Sequence, residues 1–96
     1  FSGQDALAER IKALDAYAEG RYASYLERSR ITETDGRISD RDMISTLQGD
    51  QEQVADTLRS LAAIAEGHGD VVTNDLAIQG ADKHDNFAWM LRAHLR

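Results

Sequence analysis

An all-α helical bundle is the fold this chain predicts, and three observations carry the prediction. No Pro occurs in its 96 residues, and β-branched residues are few and scattered. Apolar residues recur at spacings of three and four, the period that lines one face of a helix. Turn chemistry is confined to a few short places, chiefly Thr34-Asp35-Gly36-Arg37 and Gly67-His68-Gly69.

The first helix is expected over about residues 4–19, where Leu7, Ile11, Leu14 and Ala18 recur at i, i+4, i+7 and i+11. Gly20 is placed to end it as a left-handed cap. A shorter helical segment follows at 22–28, with Tyr22, Tyr25 and Leu26 on one side, and residues 31–37 read as a loop. Ser39 with Asp42 three residues on resembles a capping box. From there Ile44, Leu47, Val54, Leu58, Leu61 and Ala65 hold the helical spacing through a helix over 40–66, about 40 Å long at 1.5 Å per residue. Gly67-His68-Gly69 stops it. Asp70 caps the last helix, 71–95, whose core side includes Leu76, Phe87, Ala88, Leu91 and Leu95. Gly49 and Gly80 lie inside helices at a cost of about 1 kcal/mol each relative to Ala, and are expected to permit close helix approach.

This length suits one small domain, spanning 1–96. Hydrophobic residues make up 42% and charged residues 29%, which places the chain among globular proteins. A net charge of −6 and a pI near 4.9 argue against a basic nucleic-acid-binding surface and suit a protein that handles cations. With no Cys there is no disulfide framework and no thiolate metal site, which fits a reducing cytosol. No apolar run approaches the roughly 20 residues that cross a bilayer, and no signal-peptide pattern opens the chain. A Phe-Ser-Gly-Gln start without Met points to sequence removed upstream.

Asp5 and Glu9 carry the chemistry. Four residues apart on a helix, they stand one turn above each other and point the same way. Converging carboxylates suit a hard or borderline metal such as iron, although a redox iron site usually also needs imidazole. On spacing alone the pair reads more simply as first-turn acids favoured by the helix dipole. Three helices, two of them long, cannot close a four-helix bundle. One groove is left to be covered by a partner or by a missing segment.

The stretch Asp5-Ala-Leu-Ala-Glu-Arg-Ile-Lys-Ala-Leu14 resembles the second half of helix B in Dps proteins, the mini-ferritins. Residues 23–31, Ala-Ser-Tyr-Leu-Glu-Arg-Ser-Arg-Ile, are similar to the short helix in that family's crossover between helices B and C. Gly69-Asp-Val-Val-Thr-Asn-Asp-Leu76 and Asp85-Asn-Phe-Ala-Trp-Met-Leu-Arg-Ala-His-Leu95 resemble the start and end of its helix D. The resemblance spans nearly the whole chain in the right order. It implies a ferritin-like four-helix bundle, represented here by part of helix B, the short BC helix, C and D, with helix A and the start of B absent. Two departures stand out: Asp15-Ala16 replace the family's Gly-Gly after the helix-B Leu, and Gly3 precedes the motif.

The resemblance implies a ferroxidase. Twelve subunits would form a hollow shell that oxidises Fe²⁺ with hydrogen peroxide, stores ferric iron and so protects DNA in the cytoplasm, with nucleoid association open. Asp5 and Glu9 match the carboxylates of the inter-subunit iron site, whose two His come from helix A of a neighbour. Asp70, Asp75 and Asp82 lie in the stretch that lines the family's three-fold iron-entry channels. Helix capping for Asp70 and a solvated face for Asp75 and Asp82 are the simpler readings. His68, His84 and His94 form no i, i+4 pair and read as surface or packing residues, and Phe87 and Trp89 as core or interface aromatics. Asp35-Gly36 lacks the alternating oxygens of a calcium loop. Two other functions compete: a DNA-compacting shell without iron chemistry, for which the Leu95-Arg96 end offers no Lys-rich tail, and a generic helical oligomerisation module.

Overall fold

The computed structural model describes the backbone of residues 3–34 and 41–95 and the side chains of 5–30 and 41–95. Within them stand three helices: α1 (Gly3–Thr34), α2 (Arg41–Gly67) and α3 (Val71–His94). Partners along α1 and α2 run in opposite senses, with Ala18 facing Gln51, Arg21 facing Asp50 and Arg28 facing Met43, so the two are antiparallel. α3 is antiparallel to α2, pairing Asn74 with Ala62 and Arg59 with Asp85. It is therefore parallel to α1, where Asp15 meets Lys83 and Tyr22 meets Met90. α2 and α3 form the closest pair, and α1 lies along the seam between them.

α1 departs most from expectation. Gly20 does not end it, and 22–28 is not a separate short helix but the continuation of the same 32-residue helix. The physical reason is visible in the packing. Ile11, Ala18 and Tyr25, seven residues apart, are all buried, so one stripe runs through the Gly without a break. A break at Gly20 would withdraw Tyr25 from Ile44, Leu47 and Leu91, a larger loss than the roughly 1 kcal/mol that an interior Gly costs. Residues 31–34, expected in a loop, are helical, whereas Asp35-Gly36, Arg37 and Ser39 lie outside the described residues.

The core forms two clusters. In the first, Ile11, Ala55, Leu58, Leu61, Ala62, Ala77 and Ala81 meet, with Leu7, Leu14, Val54 and Leu76 packed around them. In the second, Tyr25, Ile44, Leu47 and Leu91 meet beside Tyr22, Met43 and Leu95. Gly80 allows the close approach expected of it, since a Cβ there would stand 3.1 Å from Leu58 Cδ1. Among the described residues no helix approaches Gly49, which faces open space. Leu26 is exposed rather than grouped with the tyrosines, and Trp89, 60% exposed, is no core aromatic.

Between the clusters a polar chain joins all three helices. His84 is completely buried. Its Nδ1 lies 2.7 Å from Gln51 Oε1, and its Nε2 lies 2.8 Å from Asp15 Oδ1. Gln51 Nε2 donates to the Ala18 carbonyl at 3.0 Å, which leaves its oxygen facing the imidazole. Asp15 and Glu19 together hold Lys83, at 2.9 and 2.6 Å. Burial pushes the Asp15 carboxyl up, but hydrogen bonds and charge from Lys83 and His84 outweigh it and hold the group below its ordinary value.

α2 ends as Gly67-His68-Gly69 foretold. The Asp70 N–H donates to the Ala65 carbonyl at 2.9 Å and the Gly69 N–H to that of Glu66 at 3.0 Å, the paired bonds of a Schellman motif. Gly69 supplies the left-handed residue, with φ of 72°. Asp70 then caps α3, accepting from the Thr73 N–H at 3.0 Å.

Two stability measurements follow from these features. Gly69→Ala is expected to lower stability by about 1 kcal/mol in a denaturant melt, through left-handed strain. Gly67→Ala, with open space around it and no positive φ, should not lower it. Asp15 adds stability that is present above its unfolded pKa of about 3.9 and is lost as pH falls through its depressed folded value. Asp15→Asn should therefore weaken the protein near neutral pH, and the difference between the two proteins should shrink toward acid.

Candidate metal centre on the outer face of α1

Leu7, Ile11, Leu14 and Ala18 turn one face of α1 into the bundle. Helical rotation then puts residues 5 and 9 on the opposite side of the cylinder, and both Asp5 and Glu9 are exposed there. The two acids therefore share a face, as their spacing predicts, and that face points away from the chain's own core. Beyond Glu9 the same outer face carries Lys12 and then the small residues Ala13, Ala16, Gly20 and Ala23, all exposed.

Among the described residues no group of three or more His, Asp or Glu converges on a point that would hold a metal ion. Asp5 and Glu9 thus offer two carboxylates and no more, a donor set that fits iron's demand for oxygen but leaves its coordination unfilled. None of the three His stands with them. His68 and His94 are exposed near the ends of α2 and α3, and both ring nitrogens of His84 are already occupied inside the bundle.

The acids of α3 divide into two kinds. Asp70 is spent on the helix N-terminus. Hydrogen bonds from Thr73, the side chain first and the backbone next, hold its carboxyl below the ordinary value. Asp75 and Asp82, seven residues apart, share the outward stripe of α3 with Val71, Ile78 and Trp89. Asp75 accepts from Gln79 at 2.8 Å, and Asp82 is exposed.

His84, read from the sequence as a surface or packing residue, is a buried packing residue, but its partnership with Gln51 and Asp15 is one that sequence reasoning missed. The signal was present: each interrupts an apolar stripe, Gln51 between Leu47 and Ala55, His84 between Ala81 and Ala88, Asp15 between Leu14 and Ala18. A polar residue at a core position of a helix calls for a buried partner.

Residues 4–96 match the model of the ferritin-like domain family. General stress protein 20U of Bacillus subtilis is 30% identical over 94 residues, and DNA protection during starvation protein 2 of Bacillus anthracis is 32% identical over 91. A low temperature-induced protein of Nostoc, all0458, is 30% identical over 93 residues. Each alignment covers 95% of this chain but only 63%, 62% and 52% of the relative, so the chain spans between half and two thirds of their lengths. No solved structure gives a significant match. In the described residues no helix is long and apolar enough to cross a membrane. The chain belongs to the ferritin-like domain family and resembles, within it, relatives of the Dps, or starvation-protection, kind.

Proposed function

We propose that this chain is the greater part of a mini-ferritin subunit that oxidises Fe²⁺ and stores the ferric product in a homo-oligomeric, dodecameric shell in the cytoplasm. The observation that supports it best is the outward direction of Asp5 and Glu9. Carboxylates on the far side of α1 from the core can be completed only by groups outside this bundle. The small residues beyond Glu9 let another helix approach that face closely. The donors still needed are imidazoles, which would come from a helix outside this sequence in a neighbouring subunit.

Iron enters this reading as substrate. Two ferrous ions give one electron each to hydrogen peroxide, its O–O bond breaks, and two protons complete two waters. The role of Asp5 and Glu9 is to bind and orient the ions as ionised carboxylates, a state that an approaching cation favours. Asp75 and Asp82, repeated around a symmetry axis, would concentrate cations at an entrance, and Asp70 would add its charge at the head of α3. DNA compaction without iron has little to support it, since the net charge is −6 and the described surface shows no lysine cluster. A bare oligomerisation module leaves the placement of Asp5 and Glu9 without a role.

The test is iron titration of the complete protein with hydrogen peroxide under anaerobic conditions. The wild type should oxidise Fe²⁺ in a fixed ratio to protein, and the Asp5→Ala, Glu9→Ala double variant should lose most of that stoichiometric phase while keeping its helicity. An unchanged double variant, or oxidation no faster than in protein-free solution, would sink the proposal. In the same assay Asp75→Asn with Asp82→Asn should slow iron uptake at low salt and matter less at high salt, where screening weakens steering.

A further inference from the structure

The chain holds two methionines, and their surroundings differ. Met43 is half-buried against the second core cluster, with Arg28 Nη1 3.5 Å from its sulfur. Met90 lies at the edge of the seam between α1 and α3 and is 42% exposed. The Tyr22 hydroxyl donates toward its sulfur at 3.8 Å. That tyrosine is firmly placed. Its ring stacks on Phe87 with centroids 4.1 Å apart and planes 8° from parallel, and Phe87 in turn meets the buried His84 edge-on at 5.4 Å. Burial, and the neighbouring Tyr25 after it, push the Tyr22 phenol up, so its O–H remains a donor at neutral pH.

We propose that Met90 is a site of oxidation by hydrogen peroxide, and that its sulfoxide is held by the Tyr22 hydroxyl. A lone pair of the Met90 thioether attacks one peroxide oxygen, an S–O bond forms and the O–O bond breaks. Sulfur loses two electrons, peroxide gains them, and the departing hydroxide takes the remaining proton and leaves as water. The reaction needs peroxide alone and does not rest on the iron reading. A thioether sulfur is a weak hydrogen-bond acceptor, whereas the sulfoxide oxygen is polar and strong. The donor that now touches sulfur is therefore already in place for the product. Exposure lets the added oxygen form without entering the core, which is where methionine oxidation does its damage.

Brief treatment of the folded chain with hydrogen peroxide, followed by peptide mass spectrometry, tests the assignment. Met90 should gain one oxygen several-fold faster than Met43, and the two rates should converge in urea. Met90→Leu should abolish the fast uptake. Tyr22→Phe should still take up oxygen at Met90 but lose the rise in melting temperature that oxidation gives the wild type. Met43 reacting as fast as Met90 in the folded chain would overturn the site. An equal melting shift in wild type and Tyr22→Phe would overturn the role of the tyrosine.

Discussion

The buried chain Asp15–His84–Gln51–Ala18 is the constraint on which the rest of the structure depends. α1 meets the α2–α3 pair through apolar contacts, Leu7, Ile11, Leu14, Ala18, Tyr22 and Tyr25 among them, and such contacts are not directional. Those of a fully buried imidazole are. Its two nitrogens lie against two oxygens at fixed positions, one on α2 and one on α1, and Gln51 donates to the Ala18 carbonyl besides. A shift of α1 by one residue would orphan buried polar groups at about 1–3 kcal/mol each. The network therefore sets both the height and the rotation of α1. Rotation decides which residues face outward, so the direction of Asp5 and Glu9 is a distant consequence of His84.

Helix α3 shows how one element serves two surfaces. Its inner side is built of Thr73, Ala77, Gly80, Ala81, His84, Ala88 and Leu91, small enough that α2 comes close, with Leu58 lying over Gly80. Its outer side mixes Val71, Ile78 and Trp89 with Asp75 and Asp82. An outer face that combines large apolar groups with unburied acids is poor as plain solvated surface, since Val71 and Trp89 leave 76% and 60% of their area in water. Under the proposed assembly such a face would lie against other subunits, with the apolar groups packed and the acids beside a wet opening.

Much of this was readable from periodicity and turn chemistry. The stripes Leu7–Ile11–Leu14–Ala18 and Ile44–Leu47–Leu58–Leu61–Ala65 are buried or half-buried as their spacing requires, and Gly69 makes the turn that Gly67-His68-Gly69 announces. These features depend only on nearest neighbours along the chain. The end of the first helix did not follow, because a Gly is both a common cap and a tolerable interior residue. The choice at Gly20 is made by Tyr25 packing against α2 and α3, which local sequence does not contain. The role of His84 was hidden for the same reason: its partners lie 33 and 69 residues away. Trp89 illustrates the converse, a large aromatic left outside because the helix face it occupies was never the inner one.

The same geometry bears on where a metal ion could be held. A metal site drawn from one bundle would need its donors on inward faces, as the core positions of α2 and α3 would offer, and there the polar residues are already satisfied by one another. Lys83, between Asp15 and Glu19, even supplies a positive charge beside the one imidazole–carboxylate pair in the described interior, which repels a cation. The interior thus has the right residue types and the wrong electrostatics, whereas the outer face of α1 has two exposed carboxylates and too few ligands. A shortage of ligands is remedied by a neighbouring subunit; a fixed ammonium is not. Under the proposed function the iron ligands of this chain are therefore the surface pair, and assembly is the condition for their chemistry.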